Sequence, residues 1–299
     1  MAMAALLVSA RLAAQTPPPP PLPPVDLGQT NILDGEGGPG AMLEIIAAGG
    51  LADHIADDRG SAAPGRNRQR TSSLVVHPVF VADTTVLGAY PGVEFLIPVS
   101  RVDNDFAAGG GRHTGLGDVT IAPFLQWSAP HPRTGSISAR LGLQAVAPTG
   151  DWDAGRGVNT GQGAWQFSPY LAVTWRALEC WELSGRVIYD HSGTAGGTTD
   201  TGIRIDQRPG DLVALDLSAS YAISERWRAG IGGYLLRQVA DSRSDGLRLV
   251  DTRQQIYALG PVARWQSGRT TLLAAAYGEF SARNRPQGAT LNLRIQTVF

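Results

Sequence analysis

The chain has no lysine; all 25 of its basic side chains are arginine. That excludes a P-loop lysine and a Schiff-base lysine. The single cysteine, Cys180, allows no internal disulfide, and Cys and His lack the spacing of a metal site. Only 17% of the 299 residues are charged and the formal net charge is −1, so nothing points to nucleic acid as a partner. No apolar run reaches the roughly 18 residues of a membrane helix. Neither G-x-S-x-G nor H-E-x-x-H occurs.

Glycine is abundant, at 37 residues. Much glycine with little charge suits many turns and strands better than long solvated helices. The opening "MAMAALLVSARLAAQT" has the short apolar core and small-residue end of a secretory signal. It is imperfect, since no basic segment precedes it and Arg11 interrupts it. "TPPPPPLPP" follows as a stiff, extended stretch. The expected organisation is therefore a signal peptide over 1–15, a periplasmic linker over 16–39 and one folded unit over 40–299.

Within that unit the dominant period is two. In "DLVALDLSASYAI", Val213, Leu215, Leu217, Ala219, Tyr221 and Ile223 share one face, while Asp216, Ser218 and Ser220 lie on the other. "SISARLGLQA" and "WELSGRVIY" alternate in the same way. Sustained alternation marks strands. Twelve such segments are predicted, near 41–49, 70–81, 87–101, 115–128, 135–147, 163–176, 181–191, 211–223, 227–239, 253–265, 270–281 and 289–299. Long connections (50–69, 102–114, 148–162, 192–210, 240–252 and an intermediate 282–288) alternate with short ones (82–86, 129–134, 177–180, 224–226, 266–269). An even strand count and turns sorted by length predict an all-β, antiparallel, up-and-down transmembrane β-barrel with long outer loops and short periplasmic turns. The last strand, "TLNLRIQTVF", ends in Phe299, the kind of terminal aromatic that barrel assembly machinery reads.

A proline recurs inside the most strand-like segments: Pro78, Pro123, Pro169 and Pro261. Each has lipid-facing parity on a descending strand, and each is expected to mark a β-bulge or bend. Trp127, Trp175 and Trp265 follow on the same face just before short turns, as an aromatic girdle would.

The segments "GLGDVTIAPFLQW", "APTGDWD", "NTGQGAWQFSPYLAVTW", "GDLVALDLSASYAISERWRAGIGGYLLRQVADS", "YALGPVARW" and "QGATLNLRI" carry a family resemblance. From about Gly40 to Phe299 the chain resembles the outer-membrane transporter-like proteins named for the meta-pathway of phenol degradation. The resemblance implies a barrel of the bacterial outer membrane that admits small organic, often aromatic, molecules. It implies no cofactor and no catalytic set.

The parity opposite the apolar face defines a candidate lumen lining: Glu44, His77, Glu94, Asp118, Gln126, Arg140, Gln144, Gln166, Tyr170, Glu182, Arg186, Asp216, Arg228, Tyr234, Gln238, Arg264, Arg294 and Gln296. Interleaved acids and arginines can bridge strands and set the charge that a solute meets. The plainer reading is a satisfied polar filling. The expected function is a channel for small organic solutes, with outer-membrane lipid and the assembly machinery as further partners. The first alternative is a scaffold barrel that transports nothing, which a lumen sealed by the N-terminal segment would favour. A barrel-embedded hydrolase is the weaker alternative: His77 has lumen parity with Ser73 two pleats away, but no acid accompanies them in sequence. No catalytic, cofactor or metal residue is expected.

Overall fold

The computed structural model describes residues 27–29, 32–107, 109–131, 135–177, 180–199 and 201–299. The expected signal peptide and the first part of the expected linker, up to residue 26, lie outside the described residues.

In chain order the strands are β1 (Gly40–Ala56), β2 (Asn67–Val81), β3 (Tyr90–Phe106), β4 (Gly111–Leu116), β5 (Val119–His131), β6 (Gly135–Ala147), β7 (Gln166–Ala177), β8 (Trp181–Ser192), β9 (Ala195–Thr198), β10 (Arg204–Arg208), β11 (Leu212–Ala222), β12 (Trp227–Gln238), β13 (Arg243–Ser244), β14 (Leu247–Arg248), β15 (Gln255–Ser267), β16 (Thr270–Arg283) and β17 (Arg285–Val298). β4 and β5 both pair with β3 and act as two halves of one stave, interrupted at Gly117 and Asp118. Counted so, twelve antiparallel staves form one sheet, and β1 pairs with β17 from Met42↔Val298 to Ala56↔Arg285 to close it. Closure removes every free edge, which a bilayer requires because it offers unpaired backbone groups no water. β9, β10, β13 and β14 form a separate small sheet in the outer loops.

Alternation sorts the side chains as the period of two demands. On β11, Leu217 is 52% exposed on the outer wall, while its neighbours Asp216 and Ser218 are buried inside. The wall carries a continuous apolar belt, exemplified by the cross-strand row Val187–Leu215–Leu235–Tyr257–Phe280.

The staves reach further outward than their apolar alternation suggested. β1 runs to Ala56, β3 to Phe106, and β4 begins at Gly111, so the expected loops 50–69 and 102–114 shrink to 57–66 and 107–110. The expected connection 282–288 is a tight turn at Asn284, whose φ of 52° gives the reversal. These outer extensions are wet on both sides, so backbone pairing continues where hydrophobic alternation stops.

The prolines do not make bulges. Beside each one, pairing lapses on one side only, and the register is the same before and after. Val76↔Ile97 is followed by Val79↔Glu94, Ile121↔Ala145 by Phe124↔Gly142, Phe167↔His191 by Tyr170↔Ile188, and Leu259↔Gly278 by Val262↔Ala275. On the other side each proline stays in register, as in Leu43↔Pro78 and Ile231↔Pro261. Proline lacks one N–H, so it can serve only one neighbour. The lapse always faces the strand reached through the next short turn. True register shifts occur elsewhere, between Ala52 and His54 and between Gln255 and Tyr257.

Candidate functional site

Residues 27–29 and 32–39 run inside the barrel, where a periplasmic linker was expected. Backbone groups inside a barrel need partners, and wall side chains supply them. Asp216 accepts from the Gly28 N–H (3.0 Å), Glu182 from Leu33 N (2.9 Å), and Thr174 Oγ1 from Gly35 N (2.9 Å). Asn292 donates to Gly28 O (3.0 Å), Gln126 to Gly35 O (2.7 Å), and Arg294 to Gln29 O. Ile32 packs into an apolar patch of the inner wall with Tyr234, Ile256 and Tyr277, so the lumen is not polar throughout. A Cβ on Gly35 would sit 2.6 Å from Thr174 N, and one on Gly28 2.6 Å from the Tyr277 ring. The segment's course depends on glycine at both places.

Beside this segment the barrel narrows at a charged layer. Arg294 donates to Glu44, and His77 Nδ1 lies 2.7 Å from the other Glu44 oxygen. The second ring nitrogen of His77 is 3.2 Å from Glu94 Oε2. Glu94 also accepts from the Tyr170 hydroxyl (2.7 Å) and from Arg140 (3.4 Å). Arg186 stacks over the Tyr170 ring at 4.0 Å, and Arg140 over Phe124 at 4.4 Å. These contacts tie β17, β1, β2, β3, β6, β7 and β8 into one network. Gln144 lines the same narrow space, whose volume is about 20 Å³, room for about one water.

Chambers open on both sides of it. The outer one, about 620 Å³, is lined largely by glycine, hydroxyl and amide side chains, among them Ser73, Ser100 and Thr290. The inner one, about 760 Å³, is lined by Arg140, Arg176, Arg186, Arg264, Arg269 and Arg294 against Asp34, Glu36 and Glu94.

The structure divides the residues expected on the lumen side by position. Glu44, His77, Glu94, Arg140, Gln144, Tyr170, Arg186 and Arg294 surround the constriction, and Gln296 donates to Glu44 (2.8 Å). Glu182 and Asp216 hold the internal segment. Asp118 accepts from Gly150 N (2.8 Å) and Gln162 N (2.7 Å), which anchors an outer loop. Gln166 donates to Asp190 (2.6 Å), and Gln238 to Ala240 O (2.9 Å). The Tyr234 hydroxyl donates to Glu279 (2.7 Å). Arg228 donates to Cys180 O (3.0 Å) and Arg264 to Gln266 (2.7 Å). Asp34, Glu36 and Arg176 were missed. Arg176 has the right parity and forms an ion pair with Glu36; the two acids sit in "ILDGEGG", which has no strand period to flag it.

Trp127, Trp175 and Trp265 face outward near the short turns, with Trp127 Nε1 donating to Leu87 O (3.3 Å). Trp227 is directly opposite Trp265, and Trp181 meets Tyr221 edge-on at 5.1 Å. Outward aromatics near the short turns therefore number more than the three expected tryptophans.

Residues 52–295 match the family described as MetA-pathway of phenol degradation. The chain belongs to this family. No curated protein matches it. Among solved structures, it is similar to an outer membrane channel from Pseudomonas putida F1, at 17% identity and a TM-score of 0.79, covering 92% of this chain and 100% of the other. It also resembles the transport unit of the autotransporter AIDA-I from Escherichia coli (9% identity, TM-score 0.54, 88% and 91% covered). The β domain of the Bordetella autotransporter BrkA is similar too (14%, 0.51, 88% and 100%). These likenesses show a shared fold. The family member described here is a closed antiparallel β-barrel of twelve staves.

Proposed function

We propose that the barrel is a passage for small organic molecules, aromatic ones included. The observation that carries this reading is the pair of chambers of about 620 and 760 Å³ meeting at a space of about 20 Å³. A barrel filled only for stability would close-pack its interior. The family's link to phenol degradation and the similarity to a channel of Pseudomonas putida support the same reading. So does the use made of His77, which meets two carboxylates and no hydroxyl, unlike a hydrolase base. Liposome swelling tests it: small uncharged aromatics should enter protein-containing vesicles faster than protein-free ones. Equal rates for every solute would overturn the reading.

The internal segment favours a second reading, a sealed scaffold barrel. Gly35→Val separates the two, because the added side chain cannot fit against Thr174. If neither the native chain nor this variant conducts, the scaffold reading holds. Phe299, whose N–H donates to Ala41 O (2.9 Å) at the closing seam, is the proposed contact for barrel assembly machinery. Phe299→Ala should lower the yield of folded barrel in the outer membrane; an unchanged yield would remove that role.

A further inference from the structure

The outer rim of the wall carries arginines that the passage does not use. One cross-strand step beyond the apolar row ending in Tyr257 and Phe280 lies the row Tyr189–Val213–Arg237–Gln255–Arg283. Tyr257 and Phe280 stack with centroids 5.9 Å apart, an aromatic edge to the lipid-facing belt. Arg237 and Arg283 are exposed on that same face, one strand apart, so about 10 Å separates their backbones. The register shift in β15–β16, with Ser281 at a φ of 53°, keeps Ala282 inward and turns Arg283 outward.

Above this row the small outer sheet sets three more arginines side by side. Arg208 is opposite Arg243, and Arg243 is opposite Arg248. Like charges directly opposite one another are destabilising unless something balances them. Balance is partial. Asp241 accepts from both Arg248 and Arg253, and Asp211 lies 3.9 Å from Arg208. Arg237, Arg243 and Arg283 have no carboxylate within 4.0 Å among the described residues. Two adjoining clefts of about 460 and 420 Å³ share the Arg248–Asp241–Arg253 bridge; the first also takes in Arg208 and Arg243 with Asp211, the second Arg237 and Arg283 with Asp58 and Asp251.

We propose that this arginine surface binds the phosphates of a phosphorylated glycolipid in the outer leaflet. Position selects the source: the surface continues the lipid-facing wall and begins where its apolar belt ends. Chemistry selects the group. Guanidinium presents paired N–H donors that match phosphate oxygens two at a time, and its charge persists at any accessible pH. A bound phosphate would supply a counter-charge to Arg243, which stands between Arg208 and Arg248. Clustered basic residues at a membrane surface recognise anionic headgroups through this same attraction.

The test uses the full chain in a nonionic detergent. It is titrated with a bis-phosphorylated, acylated glucosamine disaccharide, with the same lipid stripped of both phosphates, and with inorganic phosphate. The phosphorylated lipid should bind at least about tenfold more tightly than the stripped one, since charge-assisted hydrogen bonds separate them. Millimolar inorganic phosphate should not displace it. Combining Arg237→Gln, Arg243→Gln and Arg283→Gln should reduce its affinity to that of the stripped lipid, with heat-modifiable migration on gels reporting that the barrel is folded. If the triple variant fails to fold, Arg243→Gln alone, on the exposed small sheet, carries the same comparison and should weaken binding. Equal binding of the two lipids, or unchanged binding by a folded variant, overturns the proposal. Full displacement by inorganic phosphate overturns it as well and reassigns the clefts to a small soluble anion.

Discussion

The two chambers of the lumen differ in the kind of polarity they present. The outer one offers hydroxyls, amides and bare backbone, with Arg101 and Arg285 as its charged residues. The inner one sets six arginines against three carboxylates. Neutral dipoles can replace a solute's water without asking for a charge, whereas fixed charges discriminate by sign. In the proposed passage, a solute entering from the long-loop side would therefore meet a hydrogen-bonding filter first and a charge filter second. Between them stand the internal segment and the Glu44–His77–Glu94 layer.

Removing the divider should change the molecule most. Gly35→Val is expected to expel the internal segment and raise single-channel conductance severalfold; unchanged conductance would mean that the chambers do not communicate past it. Next in size is the loss of the layer's shared acid. Glu44→Gln leaves Arg294 inside without a carboxylate and His77 with Glu94 alone, which should cost about 3 kcal/mol of stability, the lower end for a broken buried pair. Urea unfolding in lipid vesicles measures this, and a cost near zero would show the layer to be hydrated. A smaller effect is expected from the inner chamber: Arg186→Gln with Arg264→Gln should move the reversal potential toward cations in a salt gradient. No shift in a conducting variant would leave these arginines as structural filling. The smallest belongs to the outer chamber. Ser73→Asp adds one charge to a wide, wet space, so its shift should be less than that of the inner pair and should fade near 1 M salt, where screening acts over about 3 Å. An outer shift as large as the inner one would erase the distinction between the chambers.

The staves were legible because a bilayer wall demands strict alternation, and "DLVALDLSASYAI" could hardly be read another way. Their outer ends were not, since "LADHIA" on β1 pairs with its neighbours while water reaches both faces. Parity placed Glu44, His77 and Arg294 inside, but could not say that they meet, because Arg294 comes from the last strand, 250 positions beyond Glu44, and the β1–β2 register that sets His77 opposite Glu44 is not written in the alternation. The four prolines lie on the face their parity implies, but no bulge forms at them: the stave keeps its register and gives up pairing on one side. The internal segment was hidden for a different reason. Most of its hydrogen bonds to the wall are made by backbone groups, such as those of Gly28, Leu33 and Gly35, and backbone groups carry no sequence signature. A stretch rich in glycine with two acids reads as linker until the wall that receives it is known.

The closing seam has a consequence for how the protein comes to exist. Glu44 meets Arg294 across 250 positions of chain, and Gly28 meets Asn292 across 264. Contacts so distant in sequence are slow to form, because a long loop must be ordered before they return anything. Hairpins such as β7–β8 can form early and locally, whereas β1 must wait for β17. The internal segment immediately precedes β1 and bonds to β7, β8, β11 and β17, so its full set of partners exists only once the last strand is in place. Barrel closure and capture of the segment are therefore one late event, and until it occurs Gly28 has only part of its binding site.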